Sequence, residues 1–249
     1  MSTVFLGLDV GGSGIKGALV NIETGELVAP RHRLPTPEDA KPAAVGAVLK
    51  ELALHFQYSG PVGIGFPSVI RHGVIRTAAN VDSSWIGLGA NEFFGRALGM
   101  PAHALNDADA AGIAEMAFGA GREYHRGVVL LLTVGTGIGS AVFVNGQLLP
   151  NTEFGHIQIR GKDAERRASD AARQRKKLSW EQWAGRFEEY LQTMCALISP
   201  DVIILGGGVS RKMDRFMPQI KLDVQVIPAA LENEAGIVGA AMFAAHPGD

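Results

Sequence analysis

From Val4 to Val10 (VFLGLDV), apolar side chains alternate with small or polar ones, the period of two that marks a half-buried strand. A glycine-rich turn follows, and apolar runs over 17–22 and 26–29, either side of a turn beginning at Glu23, predict two more short strands. After a loop punctuated by Pro30, Pro35 and Pro37, the spacing predicts a helix over 38–58, a strand over 62–66 and a helix over 90–98. The segment AHALND then reads as a strand running into an Ala-rich helix over 108–118, with Asp107 at the junction. Next the opening pattern returns. VVLLLTVGTGIGSAVFVNGQLLP is strand, Gly/Thr turn, strand, Asn-Gly hairpin and strand, in the order of VFLGLDVGGSGIKGALVNIETGELVA, and aligning Gly11 with Gly135 spaces the copies by about half the chain. A long amphipathic helix over 179–198, a strand over 202–205 ending in Gly206–Gly208, and an Ala-rich helix over 234–245 complete the pattern. A glycine-turned hairpin once per half predicts two similar α/β domains, 1–106 and 107–249, facing each other across a cleft, with the last helix a candidate to pack back on the first domain.

Composition narrows the class. In 249 residues, 47% are apolar and 19% charged, ordinary for a globular chain, and the formal net charge of −2 argues against nucleic acid or an anionic membrane as partner of the whole surface. The single cysteine, Cys195, excludes a disulfide framework and a thiolate zinc site. Met-Ser-Thr leads directly into a strand with no charged n-region or long apolar segment, which predicts a cytoplasmic protein.

Gly12, Gly14 and Gly17 satisfy G-x-G-x-x-G after a strand, but the dinucleotide-binding version of that motif opens a helix, and strand residues follow here. What remains is a hairpin turn whose backbone N–H groups can meet an anion. Gly11, Gly12, Ser13 and Gly14 in the first half, and Thr136, Gly137 and Gly139 in the second, offer such donors without bulk, and Lys16 adds a point charge. Asp9 ends the strand beside the turn, where a carboxylate can hold magnesium directly or through water; its plainer reading is a turn cap. Two phosphate turns facing a cleft suggest phosphoryl transfer, which needs positioning, charge stabilisation and a base for the attacking hydroxyl. Asn106 and Asp107, side by side at a strand end, can hold adjacent sugar hydroxyls with Asp107 accepting the proton, although Asp107 alone reads as a helix-terminal acid. Glu153 and His156 in EFGH, after the second hairpin, supply another acceptor and a switchable donor.

With these residues in place, LDVGGSGIKG, NVDSSW, LNDADAAG, TVGTGIGS, NTEFGH and GGGVS together resemble, in order and over essentially the whole chain, the sugar kinases of the repressor, open reading frame, kinase (ROK) family. The resemblance implies the duplicated two-domain actin/hexokinase-like (ribonuclease H-like) fold. It implies that Asp9–Gly14, Thr136–Gly139, Gly207 and Gly208 bind the phosphate donor, that Asn80, Asn106, Glu153, His156 and Glu165 hold glucose, and that Asp107 is the catalytic base. It further implies a homodimer using magnesium and phosphorylating the 6-hydroxyl of glucose from inorganic polyphosphate, with ATP as donor or mannose as acceptor the alternatives. Regulators in the family carry an additional N-terminal DNA-binding domain, whereas the hairpin here begins within the first residues. Two departures stand out. The cysteine cluster that gives many relatives a zinc after E-x-G-H is replaced by RGKDAERRASDAARQRKK, so no zinc is expected, and Ser68 follows Pro67 where relatives often have Gly.

That replacement carries eight Lys and Arg residues between Arg160 and Lys177 against Asp163, Glu165 and Asp170. Charge runs are usually solvated faces. Its place after EFGH instead predicts that these cations hold phosphates of a long donor beyond the one transferred, so that neutralising Arg173, Arg175, Lys176 and Lys177 together would weaken binding of long-chain polyphosphate.

Overall fold

In the computed structural model, which describes residues 3–79 and 81–247, the alternation of VFLGLDVG is fully expressed. Leu6, Leu8 and Val10 are buried on one face of strand β1 (Val4–Gly11), while Gly7 and Asp9 point to the other. The chain continues through β2 (Gly14–Asn21), β3 (His32–Leu34), α1 (Pro42–His55), β4 (Val62–Phe66), β5 (Ile70–Arg71), β6 (Val74–Ile75), α2 (Ala90–Leu98), β7 (Ala102–Asn106) and α3 (Asp107–Phe118). The repeat follows as β8 (Val128–Val134), β9 (Ile138–Val144) and β10 (Gln147–Leu149). Then come β11 (Gln158–Ile159), β12 (Lys162–Asp163), α4 (Glu165–Ala168), α5 (Asp170–Arg175), α6 (Trp180–Ile198), β13 (Val202–Gly206), β14 (Gln225–Pro228) and α7 (Ala235–Ala245).

Two compact units result, residues 1–118 with 234–249, and 119–233. The junction therefore follows α3, where the sequence placed it before that helix at 106/107. The reason is packing: α3 and α7 lie against each other and against the first sheet, so the helix that begins at Asp107 stays with the strand that leads into it.

The first sheet has the order β3-β2-β1-β4-β7 and the second β10-β9-β8-β13-β14. In each, an antiparallel hairpin is extended on one side by an antiparallel strand and on the other by two parallel strands, so the sequence repeat is a repeat of topology. The third strand of the first sheet is displaced. Residues 26–29 make only a bridge from Leu27 to Val20, and His32–Leu34, in the proline-flanked segment, pairs with β2 instead. β14 was not foreseen.

In the first unit, Val62, Ile64 and Phe66 of β4 join Leu6, Leu8, Val45, Leu49, Trp85 and Phe94 in one core. Trp85 anchors VDSSW there, its Nε1–H donating to Ala40 O at 2.7 Å. The opposite face of β4 carries Gly63 and Gly65, and against it lies α7. A Cβ on Gly7 would stand 2.0 Å from Ile237 O, one on Gly63 1.7 Å from Ala240 O, and one on Gly239 1.7 Å from Ala110 O. α7 is thus seated at backbone contact on both sides, which only glycine permits. The second unit is built around Leu130, Leu132, Trp183, Phe187, Tyr190 and Phe216. Among the described residues, no helix is long and apolar enough to cross a membrane.

Candidate active site

The first unit gathers its candidate residues at the C-terminal ends of its parallel strands. Asp9 pairs in register with Gly65, and Phe66 with Asn106, so β1, β4 and β7 end together. A Cβ on Gly65 would lie 3.7 Å from the Asp107 Cα and 3.7 Å from Gly236 O; Asp9 and Asp107 therefore flank a position left without a side chain. Lys16 Nζ donates to Asp9 Oδ2 at 3.2 Å. The first turn of α7 reaches the same carboxylate, since a Cβ on Gly236 would stand 3.0 Å from its Cγ, and the partial positive charge of a helix N-terminus favours an anion there.

Asn106, which is buried, caps α3. Its Oδ1 accepts from Ala108 N at 2.9 Å and Asp109 N at 3.1 Å, while its Nδ2 donates to Ser68 O at 3.3 Å. Asp107, half-buried on the first turn, accepts from Ala108 N at 2.8 Å through Oδ1, which fixes the plane of its carboxylate. Ser68 is not a loose substitute for glycine: its Oγ donates to Thr77 O at 2.6 Å and closes the base of the β5–β6 hairpin. Gly11, Gly12, Ser13 and Gly14 form the hairpin turn as expected, and the sequence reading missed Arg33, whose guanidinium donates to Ser13 O and covers Gly14. Asn80 lies outside the described residues.

In the second unit, Thr136, Gly137 and Gly139 occupy the β8–β9 turn and the start of β9. Gly207, at φ +76°, lies against Val134 so closely that a Cβ would be 2.5 Å from its carbonyl oxygen, which brings the Gly206–Gly208 turn alongside that hairpin. NTEFGH is fastened to β9: Thr152 Oγ1 donates to Ser140 O at 2.8 Å, Phe154 N donates to Ser140 Oγ at 3.0 Å, and a Cβ on Gly155 would meet Ile138 O at 2.2 Å.

This docking sets a row of titratable groups. His156 Nε2 lies 3.5 Å from Glu153 Oε2, and His156 Nδ1 lies 3.4 Å from Asp163 Oδ2. Glu165 Oε2 accepts from Ile138 N at 3.3 Å. Burial pushes the Glu153 carboxyl above the usual range; His156 pulls it back and Glu165 pushes it further up. Asp163, held by Gln158 and by His156, is pulled below its usual range. Asp163 was also missed. Its signal was Arg160–Gly161, both at positive φ, a two-residue turn that pairs β11 with β12 and swings Asp163 onto the imidazole. Among the described residues, no group of three or more His, Cys, Asp or Glu side chains could hold a metal ion. A magnesium ion bound mainly by donor phosphates and water asks less, and the single carboxylate of Asp9 fits that donor set.

Duplicated sheets of this order, each opened by a glycine-turned hairpin, define an α/β protein of the actin/hexokinase-like class. Within that class the chain belongs to the ROK family, whose model matches residues 5–171. It is 50% identical over 237 residues, 95% of this chain and 89% of the other, to the polyphosphate glucokinase of Mycobacterium tuberculosis. The crystal structure of an inorganic polyphosphate/ATP-glucomannokinase from Arthrobacter sp. strain KM superposes with a TM-score of 0.95 at 42% identity, covering 98% of this chain and 99% of that one. A ROK family glucokinase from Streptomyces griseus, solved with glucose and AMPPNP, shares the fold at TM-score 0.80 and 21% identity, over 96% and 98% of the two chains.

Proposed function

We propose that this chain transfers a phosphoryl group from inorganic polyphosphate to the 6-hydroxyl of glucose, giving glucose 6-phosphate. The observation that carries the reading is the 50% identity to a polyphosphate glucokinase along 95% of the chain.

Chemically, the Asp107 carboxylate accepts the proton of the attacking hydroxyl. Its orientation is set by the Ala108 N–H and by the start of α3, which Asn106 caps. Asn106 spends its oxygen on that cap, so toward a sugar it acts through Nδ2 as a donor. Glu153 and His156 offer an acceptor and a donor suited to sugar hydroxyls, with Asp163 fixing the ring through Nδ1. Lys16 and the N–H groups of the glycine turns receive donor phosphates. Magnesium, held by Asp9 directly or through water, would neutralise charge on the donor.

ATP as a second donor, and mannose as a second acceptor, are favoured by the Arthrobacter relative, described as a polyphosphate/ATP-glucomannokinase. Supplying purified protein with glucose or mannose and either polyphosphate or ATP, and measuring the sugar 6-phosphate, separates these readings. Absence of product from glucose with polyphosphate refutes the principal one.

A further inference from the structure

Seven of the eight cations in the basic run after E-x-G-H fall into two sets. Arg160 and Arg167 both donate to Glu189, at 2.6 and 2.7 Å. Arg173 donates to Asp170 at 2.7 Å, and its guanidinium lies 4.1 Å from the ring centre of Trp180. These three are structural. Lys162, Arg166, Arg175 and Lys176 are different: exposed, and not matched by acids in this way among the described residues, they line one pocket of about 330 Å³ with Gln158, Gly161 and Asp163. Asp163, the one acid there, is hydrogen-bonded to His156 and Gln158, and of the four cations it is Arg166 that acts on its charge. Lys176 Nζ donates to the backbone carbonyl of Arg166 at 3.2 Å, which holds the lysine head group over α4.

Gathering four cations in one concavity costs free energy unless an anion fills it. Lys176 shows the strain: burial and the neighbouring cations Arg186, Lys162, Arg175 and Arg167 pull it below the usual lysine value. A solvated helical face would spread these charges, whereas β12, α4 and the C-terminal end of α5 bring them into one pocket.

We propose that this pocket is a polyphosphate exosite, holding phosphates of a long donor chain beyond the one being transferred. The inference rests on the polyphosphate reading of the activity. It narrows the expectation drawn from sequence, since Arg160, Arg167 and Arg173 are committed to acids and Lys177 is not among the residues lining the pocket. Separate phosphates along a flexible polyanion suit four cations without a shared bidentate partner, and such contacts weaken with salt.

The test is the quadruple variant K162Q/R166Q/R175Q/K176Q, whose side chains are all exposed, compared with the unaltered protein by thermal melting to confirm folding. KM for long-chain polyphosphate is expected to rise about tenfold at low salt and to lose most of its salt dependence, while KM for tripolyphosphate, ATP and glucose stays within about twofold. Equal changes for long and short donors, or none, overturn the exosite and leave the activity standing. If the unaltered protein makes no product from polyphosphate, the functional reading has failed. The pocket is then judged by anisotropy of fluorescently labelled long-chain polyphosphate, with inorganic phosphate as competitor. Loss of binding in the variant upholds it, and equal binding overturns it.

Discussion

Replacing Gly63 by alanine tests the seating of α7, on which both carboxylates of the first unit depend. The new methyl carbon would stand 1.7 Å from Ala240 O and 2.3 Å from its carbonyl carbon, where a carbon–oxygen contact normally needs roughly 3.3 Å. One element must therefore move by about 1.5 Å. The obstacle is helix backbone, which no rotamer change can clear, and α7 cannot retreat freely because Gly239 already touches Ala110 O on its far side. Overpacking typically costs about 1–3 kcal/mol, and with both sides blocked the upper end applies, about 3 kcal/mol or more. For a chain of this size that lowers Tm by roughly 10 °C. Calorimetry of G63A reads the shift, with G185A as the control: Gly185 lies inside α6 with nothing within 4 Å of an added Cβ, so alanine should stabilise by about 0.5–1 kcal/mol. A fall of less than about 2 °C in G63A would refute the close seating of α7.

Three further outcomes follow from the sites themselves. D107N keeps the shape and the Ala108 contact but cannot take a proton, so kcat should fall about 10²–10⁴-fold with glucose binding retained by calorimetry; a loss under tenfold would remove Asp107 as the base. G236A places a methyl 3.0–3.2 Å from the Asp9 carboxyl atoms and should raise the donor KM roughly tenfold with little change for glucose, and an unchanged donor KM would detach Asp9 from donor binding. Because burial raises the Glu153 carboxyl, it takes up its proton at a higher pH than an ordinary glutamate as the solution is acidified, so glucose affinity should fall on an acid limb displaced upward; E153Q should abolish that limb, and its persistence would assign the titration elsewhere.

What was legible in the chain was what neighbouring residues decide. The alternation of β1 and β8, the glycine turns and the junction at Asn106–Asp107 are set within a few residues, and the repeat of sheet order followed from them. The third strand was misplaced because residues 26–29 and 32–34 are both short and only the pairing edge of β2 chooses between them; His32–Leu34 wins with Arg33 crossing onto the first turn. The close seating of α7 was hidden for the same kind of reason. Gly7, Gly63 and Gly239 are far apart in sequence, and each reads alone as an ordinary strand or helix glycine.

In the segment after E-x-G-H the β11–β12 turn sets Asp163 against His156, and Arg160 and Arg167 clasp Glu189 of α6. Each of these partly exposed Arg–Glu189 pairs contributes only about 0–1 kcal/mol. The segment is therefore held mainly by the burial of Ile159, Ala164, Ala168 and Ala172 and by the Ala168 and Ser169 carbonyls, which accept from the buried Trp183 indole. Apolar burial, helped by the ion pairs of Arg160, Arg167 and Arg173, fixes the backbone. That leaves Lys162, Arg166, Arg175 and Lys176 available to a ligand, which a scaffold held together by their own ion pairs would not.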